Sequence, residues 1–144
     1  MLEAVFTEGR GSVMAVVTEP GGEMGICRVW FSGTITTADL ERALPVCLAA
    51  AARRPTGILV DFAAETLAPE VLNWLFCSAD YRALLDHPNV RARACVVYSM
   101  IGWLAAQAFA WPAGIEVFSS AADAYSYLLA ALSGGALPSF SGQA

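Results

Sequence analysis

Apolar and polar positions along this chain follow two periods in turn, and each switch between them marks an element. Val5–Thr7 and Ser12–Glu19 are short apolar stretches on either side of Gly9-Arg10-Gly11. Gly25–Phe31 is a third stretch, rich in Ile, Val, Trp and Phe. Such runs read as strands. Pro20-Gly21-Gly22-Glu23 reads as a turn, because proline presets one φ and glycine admits positive φ at the next position. The strands flanking it are expected to pair as an antiparallel hairpin.

The period then becomes helical. Thr36-Thr37-Ala38-Asp39 has the spacing of a capping box, with an aspartate in the acidic position. Leu40, Ala43, Leu44, Cys47, Leu48 and Ala51 fall on one face at 3,4 spacing. Pro45 lies inside and predicts a bend near Glu41–Pro45, since it removes one backbone donor. Gly57–Phe62 is apolar without alternation, as in a strand covered on both faces. Pro69 and Glu70 suit the first turn of a helix. That helix is predicted over Pro69–Leu85, with Val71, Leu72, Trp74, Leu75, Phe76, Tyr81, Leu84 and Leu85 around most of its circumference.

His87-Pro88 ends it, and Val90–Tyr98 reads as the next strand. A short helix over Ile101–Trp111, a strand at Ile115–Phe118 and a closing helix capped by Ser120–Asp123 follow. The order β-β-β-α-β-α-β-α-β-α predicts an α/β fold. Its sheet is mixed, an N-terminal antiparallel hairpin followed by alternating α and β units, with about four helices. One domain over 1–132 and a flexible Gly/Ser/Pro tail over 133–144 are expected.

Composition narrows the function classes. Of 144 residues, 57% are hydrophobic and only 15% charged, against a usual charged share of about 25%. Either much of the chain is two-sided core or some apolar surface is covered by a partner. The net charge is −5 and all 8 basic residues are Arg. Nucleic-acid binding needs clustered cations, and the sole adjacent pair is Arg53-Arg54, so no nucleic-acid partner is expected. The N-terminus has neither a basic nor a long apolar segment, which predicts a cytoplasmic protein. Ala94–Ile115 carries no charge over 22 residues, long enough for a bilayer. Ser99, Gly102, Gln107 and Pro112 interrupt it, so a strand, a turn and a short helix are expected rather than a transmembrane span.

Cys27, Cys47, Cys77 and Cys95 lack metal-ligand spacing and read as small buried hydrophobes. No metal and no cofactor is expected. Asp61, at the predicted end of its strand, either faces a ligand or bonds the next loop's backbone. In the loop expected after this strand, Glu65 and Thr66 are candidates, Thr66 as a phosphate acceptor or as a cap. Histidines titrate near neutrality in general, so His87 reads as a candidate general base, but it has no neighbouring nucleophile and its helix-end position is itself favourable for a cation. Trp103, Phe109 and Trp111 stand on one uncharged helix and fit three readings: core, oligomer interface or apolar-ligand pocket. Trp74 and Tyr81 are seven apart on the preceding helix and fit the same surface. Phosphate loops, G-x-S-x-G and metal clusters are absent from the sequence, so no enzyme is expected.

Gly33-Thr34-Ile35-Thr36 with Asp39, the mid-helix Pro45, Leu59-Val60-Asp61, Arg93-Ala94-Cys95-Val96-Val97, and Glu116-Val117-Phe118 before Asp123-Ala124 together resemble the anti-sigma-factor-antagonist (STAS) fold. More closely, they resemble the SpoIIAA-like family of small bacterial proteins, over about residues 12 to 131. The resemblance implies a binding or regulatory module rather than an enzyme. Switching STAS domains carry a phosphorylatable serine in an Asp-Ser-x-Gly loop after the strand matching Gly57–Phe62. Here Ala63-Ala64-Glu65-Thr66-Leu67-Ala68-Pro69 has no serine, and the resemblance does not carry that switch over.

Two expectations follow. The first is a non-enzymatic module that contacts a protein partner or a second copy of itself through apolar helix faces. The alternative is a carrier or sensor of a small apolar, lipid-like molecule held between sheet and helices near Trp74 and Trp103.

Overall fold

The computed structural model describes residues 2–8, 11–18, 25–67, 69–110 and 113–134. They form β1 (Leu2–Glu8), β2 (Gly11–Thr18), β3 (Gly25–Ile35), α1 (Thr37–Arg53), β4 (Thr56–Leu67), α2 (Pro69–Cys77), α3 (Ala79–Leu85), β5 (Val90–Val97), α4 (Met100–Ala110), β6 (Glu116–Phe118) and α5 (Ala121–Leu132). The predicted turn at Pro20–Glu23, Trp111, and the tail beyond Gly134 lie outside the described residues.

The six strands among the described residues make one sheet in sequence order. β1–β2 and β2–β3 pair antiparallel, and β3–β4, β4–β5 and β5–β6 pair parallel. The antiparallel part is therefore a three-strand meander, one strand more than the predicted hairpin. Alternation along the strands gives the sheet two apolar faces. On one, Cys27, Val29, Phe31, Ile58, Phe62, Cys95 and Val97 pack beneath α1, α2, α3 and α4. On the other, Ile26, Leu59, Ala92, Ala94 and Val96 meet Ala124, Tyr127 and Leu128 of α5.

Local chemistry accounts for the element ends. The Thr36 side chain accepts from the Asp39 N–H at 3.4 Å, and the Asp39 carboxylate accepts from the Thr36 N–H at 2.9 Å. This is the reciprocal box read from sequence. α1 then runs unbroken through Pro45.

Among the described residues the helix count is five rather than about four. Ser78 divides the stretch predicted as one helix over Pro69–Leu85, taking an extended backbone and capping α3 through its hydroxyl, which accepts from the Tyr81 N–H at 3.2 Å. Serine offers the backbone this local alternative to continuing a helix.

The largest correction concerns β4. It does not stop at Phe62 but continues to Leu67, paired to β3 as far as Ile35↔Leu67. Asp61 is consequently inside a strand. Glu65 and Thr66 belong to the strand and not to a loop after it. Gly33, at φ 70°, lies where the register shifts. The ladder pairs Gly33 with Ala64 and Thr34 with Thr66, so Glu65 is the extra residue of a bulge. Val90–Tyr98 is corrected by one residue in the other direction, since β5 ends at Val97.

Candidate functional site

α4 is held to the sheet by its smallest residues. Gly102, Ala106 and Ala110 recur every four positions and are buried, the two alanines completely. A Cβ placed on Gly102 would stand 3.7 Å from the Phe62 carbonyl oxygen and 3.1 Å from Ser99 Oγ. Ser99 anchors the start of the helix: its hydroxyl accepts from the Gly102 N–H at 2.9 Å and its carbonyl from the Trp103 N–H at 2.9 Å.

With small residues inward, the large ones turn outward. Met100 is 72% exposed, Ile101 67%, Leu104 59% and Trp103 37%, and Tyr98 just before the helix is 58% exposed. Phe76 on α2, which packs against α4, is also exposed. Leu104 and Ala108 are exposed, and Trp111 lies outside the described residues. A stripe of glycine and alanine was the signal that sequence reasoning passed over in favour of large apolar residues.

A buried polar group lies on the α5 side of the sheet, alternating with Ile58 and Phe62 of the α4 side, and Tyr98 reaches it from just before α4. Asp61 is fully buried, and one carboxylate oxygen accepts from Arg28 Nε while the other accepts from the Tyr98 hydroxyl. The three residues come from β3, β4 and the β5–α4 junction. Arg28 also stacks on Trp30, its guanidinium carbon 4.4 Å from the ring centroid. The hydrogen bond to Asp61 raises the Arg28 pKa further, against the opposing effect of burial. Burial, then the Asp61 carboxylate it bonds, holds the Tyr98 phenol above its ordinary range. A buried carboxylate bonded on both oxygens, as Asp61 is, has its acceptors satisfied within the fold and holds structure.

Trp74 and Tyr81 are elsewhere. Their rings stack at 5.7 Å between centroids. They line an apolar cavity of about 90 Å³ between the sheet and α1, α2 and α3, along with Ile35, Leu44, Cys47 and Val71. Burial pushes the Tyr81 phenol up to about 12. Trp103 belongs to a separate surface hollow with Tyr98, Met100 and Ser119. The structure thus separates two groups that the sequence placed on one surface: Trp74 and Tyr81 face inward, and Trp103 lies at the outer face. Phe109 lies on α4, and Glu65 and Thr66 on β4.

The other candidates have structural partners. His87 Nδ1 accepts from the Asn89 N–H at 3.1 Å, within the turn that ends α3. Asn89 in turn donates to the Ala51 carbonyl at 2.7 Å. Cys27, Cys47 and Cys95 are buried, whereas Cys77 is exposed, a correction to its reading as core. Among the described residues, no group of three His, Cys, Asp or Glu side chains is placed to hold a metal ion. No helix among them is long and apolar enough to cross a membrane.

No family model matches the chain, and no curated protein matches it. Solved structures do. An uncharacterized protein of the DUF3478 family with a SpoIIAA-like fold, from Shewanella loihica PV-4, matches with a TM-score of 0.59 at 17% identity. The match covers 85% of this chain and 98% of that one. An anti-sigma factor antagonist from Mycobacterium paratuberculosis matches with a TM-score of 0.54 at 17% identity, over 81% of this chain and 94% of that one. The chain has the SpoIIAA-like fold.

Proposed function

We propose that this chain is a non-enzymatic regulatory binding module that works through protein contacts, and that the outer face of α4 is its contact surface. The observation that carries the reading is the cluster of Tyr98, Met100, Ile101, Trp103 and Leu104 at the surface, with Phe76 on the adjoining helix. The four of these on α4 expose roughly 470 Å², at about 200 Å² for a fully exposed large side chain, and Tyr98 and Phe76 are exposed beside them. A typical monomer's largest apolar patch is roughly 300–600 Å², and one side of a standard interface is roughly 800 Å². Support of a different kind comes from the similarly folded anti-sigma factor antagonist, a protein described by its action on a protein factor.

The occupant we infer is a second copy of the chain. No charged residue occurs between Ala94 and Ile115. A two-fold pairing of α4 with α4 would therefore bring no like charges of this segment together, although each chain carries −5. The reading needs no reaction. Asp61 is held by Arg28 and Tyr98, and the His87 ring is used within its turn.

The cavity beside Trp74 and Tyr81 favours a second reading, a carrier or sensor of a small apolar molecule. Its lining is apolar, but about 90 Å³ is well below the roughly 300–1,000 Å³ of pockets that enclose whole ligands. The size admits a group of a few heavy atoms and not a lipid chain. Native mass spectrometry of the full chain tests the two readings. A dimer of bare chains is the expected result. A monomer whose extra mass is lost on denaturation would replace the first reading with the second, and a bare monomer at high concentration would overturn the self-contact.

A further inference from the structure

Cys27 on β3 and Cys47 in the middle of α1 meet inside the core. Their sulfurs are 2.6 Å apart, and the side chains are 0% and 3% exposed. The two sulfurs are in direct contact, as a disulfide between these positions requires. Both residues carry free thiols. Twenty positions separate them, and what brings them together is the packing of α1 on the sheet. Cys27 belongs to the inward row Cys27, Val29, Phe31 of β3, and Cys47 to the inward face Ala43, Leu44, Cys47, Ala50, Ala51 of α1. Both rows are close-packed, so the sulfurs are kept opposed. A second observation bears on access. Cys47 lines the cavity of about 90 Å³, and a water-sized molecule needs only about 10–15 Å³.

We infer that Cys27 and Cys47 are a modification site: a dithiol that a hydroperoxide small enough to enter the cavity converts to a disulfide joining β3 to α1. With hydrogen peroxide the steps balance. Cys47 Sγ attacks one peroxide oxygen, the O–O bond breaks, and Cys47 becomes a sulfenic acid while the other oxygen leaves as water with the thiol proton. Cys27 Sγ then attacks the Cys47 sulfur. The S–S bond forms, the S–O bond breaks, and the departing hydroxide takes the Cys27 proton as a second water. The two thiols lose two electrons in all, and the peroxide gains them.

The surroundings set the rate. The hydrogen bond to Cys27 and burial hold the Cys47 thiol well above its ordinary value, so little thiolate is present and oxidation is slow. The same burial shields the finished bond from reductants too large for the cavity. Cys77 is exposed and meets bulky oxidants first. The inference stands apart from the α4 contact, since neither sulfur lies on that helix.

The test uses the full chain with Cys77→Ser, exposed to hydrogen peroxide, unfolded in an alkylating reagent and digested with trypsin. The expected product is a disulfide-linked pair of peptides 11–28 and 43–53, with the thermal midpoint of the oxidised chain raised by roughly 5–10 °C. Cys47→Ala in the same background yields neither. Recovery of both peptides fully alkylated, or of either as a sulfinic acid without the link, would overturn the inference.

Discussion

Tyr98 donates its phenolic hydrogen bond to Asp61, a fully buried carboxylate 37 positions earlier in the chain. The bond ties the start of the exposed α4 face to the middle of β4. Arg28 satisfies the other oxygen from β3, so one carboxylate ties β3 and β4 to the junction that follows β5.

Removing either donor should cost stability unequally. Arg28→Met leaves a carboxylate with no exposed surface and no countercharge, at a cost of about 2–4 kcal/mol. Tyr98→Phe keeps the ion pair and should cost about 1–2 kcal/mol. Urea unfolding of the two variants measures both, and equal losses would argue against the assigned roles.

Alkaline pH should weaken the fold through Tyr81. Its phenol is pushed up to about 12, chiefly by burial, against about 10 in an unfolded chain. The folded value exceeds the unfolded one, so the unfolded chain gives up this proton first. The contribution is intact below pH ~10 and is lost as pH rises through about 12. Tyr98, also raised, acts in the same direction. Cys47 and Cys95, whose buried thiols are also raised, begin to lose their contribution above the ordinary thiol value of about 8.5, so unfolding midpoints measured from about pH 7 upward should fall from there and more steeply above pH ~10, and Tyr81→Phe should flatten the steeper part.

Much of the fold was legible because its signals are local. The Thr36/Asp39 box, the turn after His87 and the apolar runs of β3, β4 and β5 are each set by a few adjacent residues. Apart from the division at Ser78, whose cap on Tyr81 is local, the misses depended on partners distant in sequence. Ala63-Ala64-Glu65-Thr66 carries no turn residue, and only its pairing with β3 reveals it as strand. The orientation of α4 depends on how closely Gly102 and Ala106 approach the sheet, which a search for large apolar faces does not register. Asp61 was flagged by position, but Arg28 and Tyr98 stand 33 and 37 residues away with no motif linking them.

The small stripe of α4 should tolerate little growth. Ala106 is completely buried, and Ala106→Leu should cost about 1–3 kcal/mol by overpacking. Gly102→Ala should stay within about 1 kcal/mol, because the gain in helix propensity offsets the strain on the Ser99 cap. Chemical denaturation of the two variants distinguishes these outcomes, and a tolerated leucine would mean that α4 does not sit so close to the sheet.

The cavity predicts an unusually expensive truncation. Ile35 is 2% exposed and lines it, so Ile35→Ala enlarges an existing void and should cost about 3–5 kcal/mol. The enlarged space should also take up xenon more strongly than the parent chain, read by xenon NMR. A loss below about 1 kcal/mol would mean that the walls collapse.

The most direct test of the α4 contact is sedimentation equilibrium of the full chain beside Ile101→Glu. Ile101 is 67% exposed, so the glutamate has little to disturb within one chain but places like charges across a paired face. The account predicts a dimer for the parent and a folded monomer for the variant. A parent that stays monomeric at high concentration, or a variant that dimerises as tightly as the parent, would contradict it.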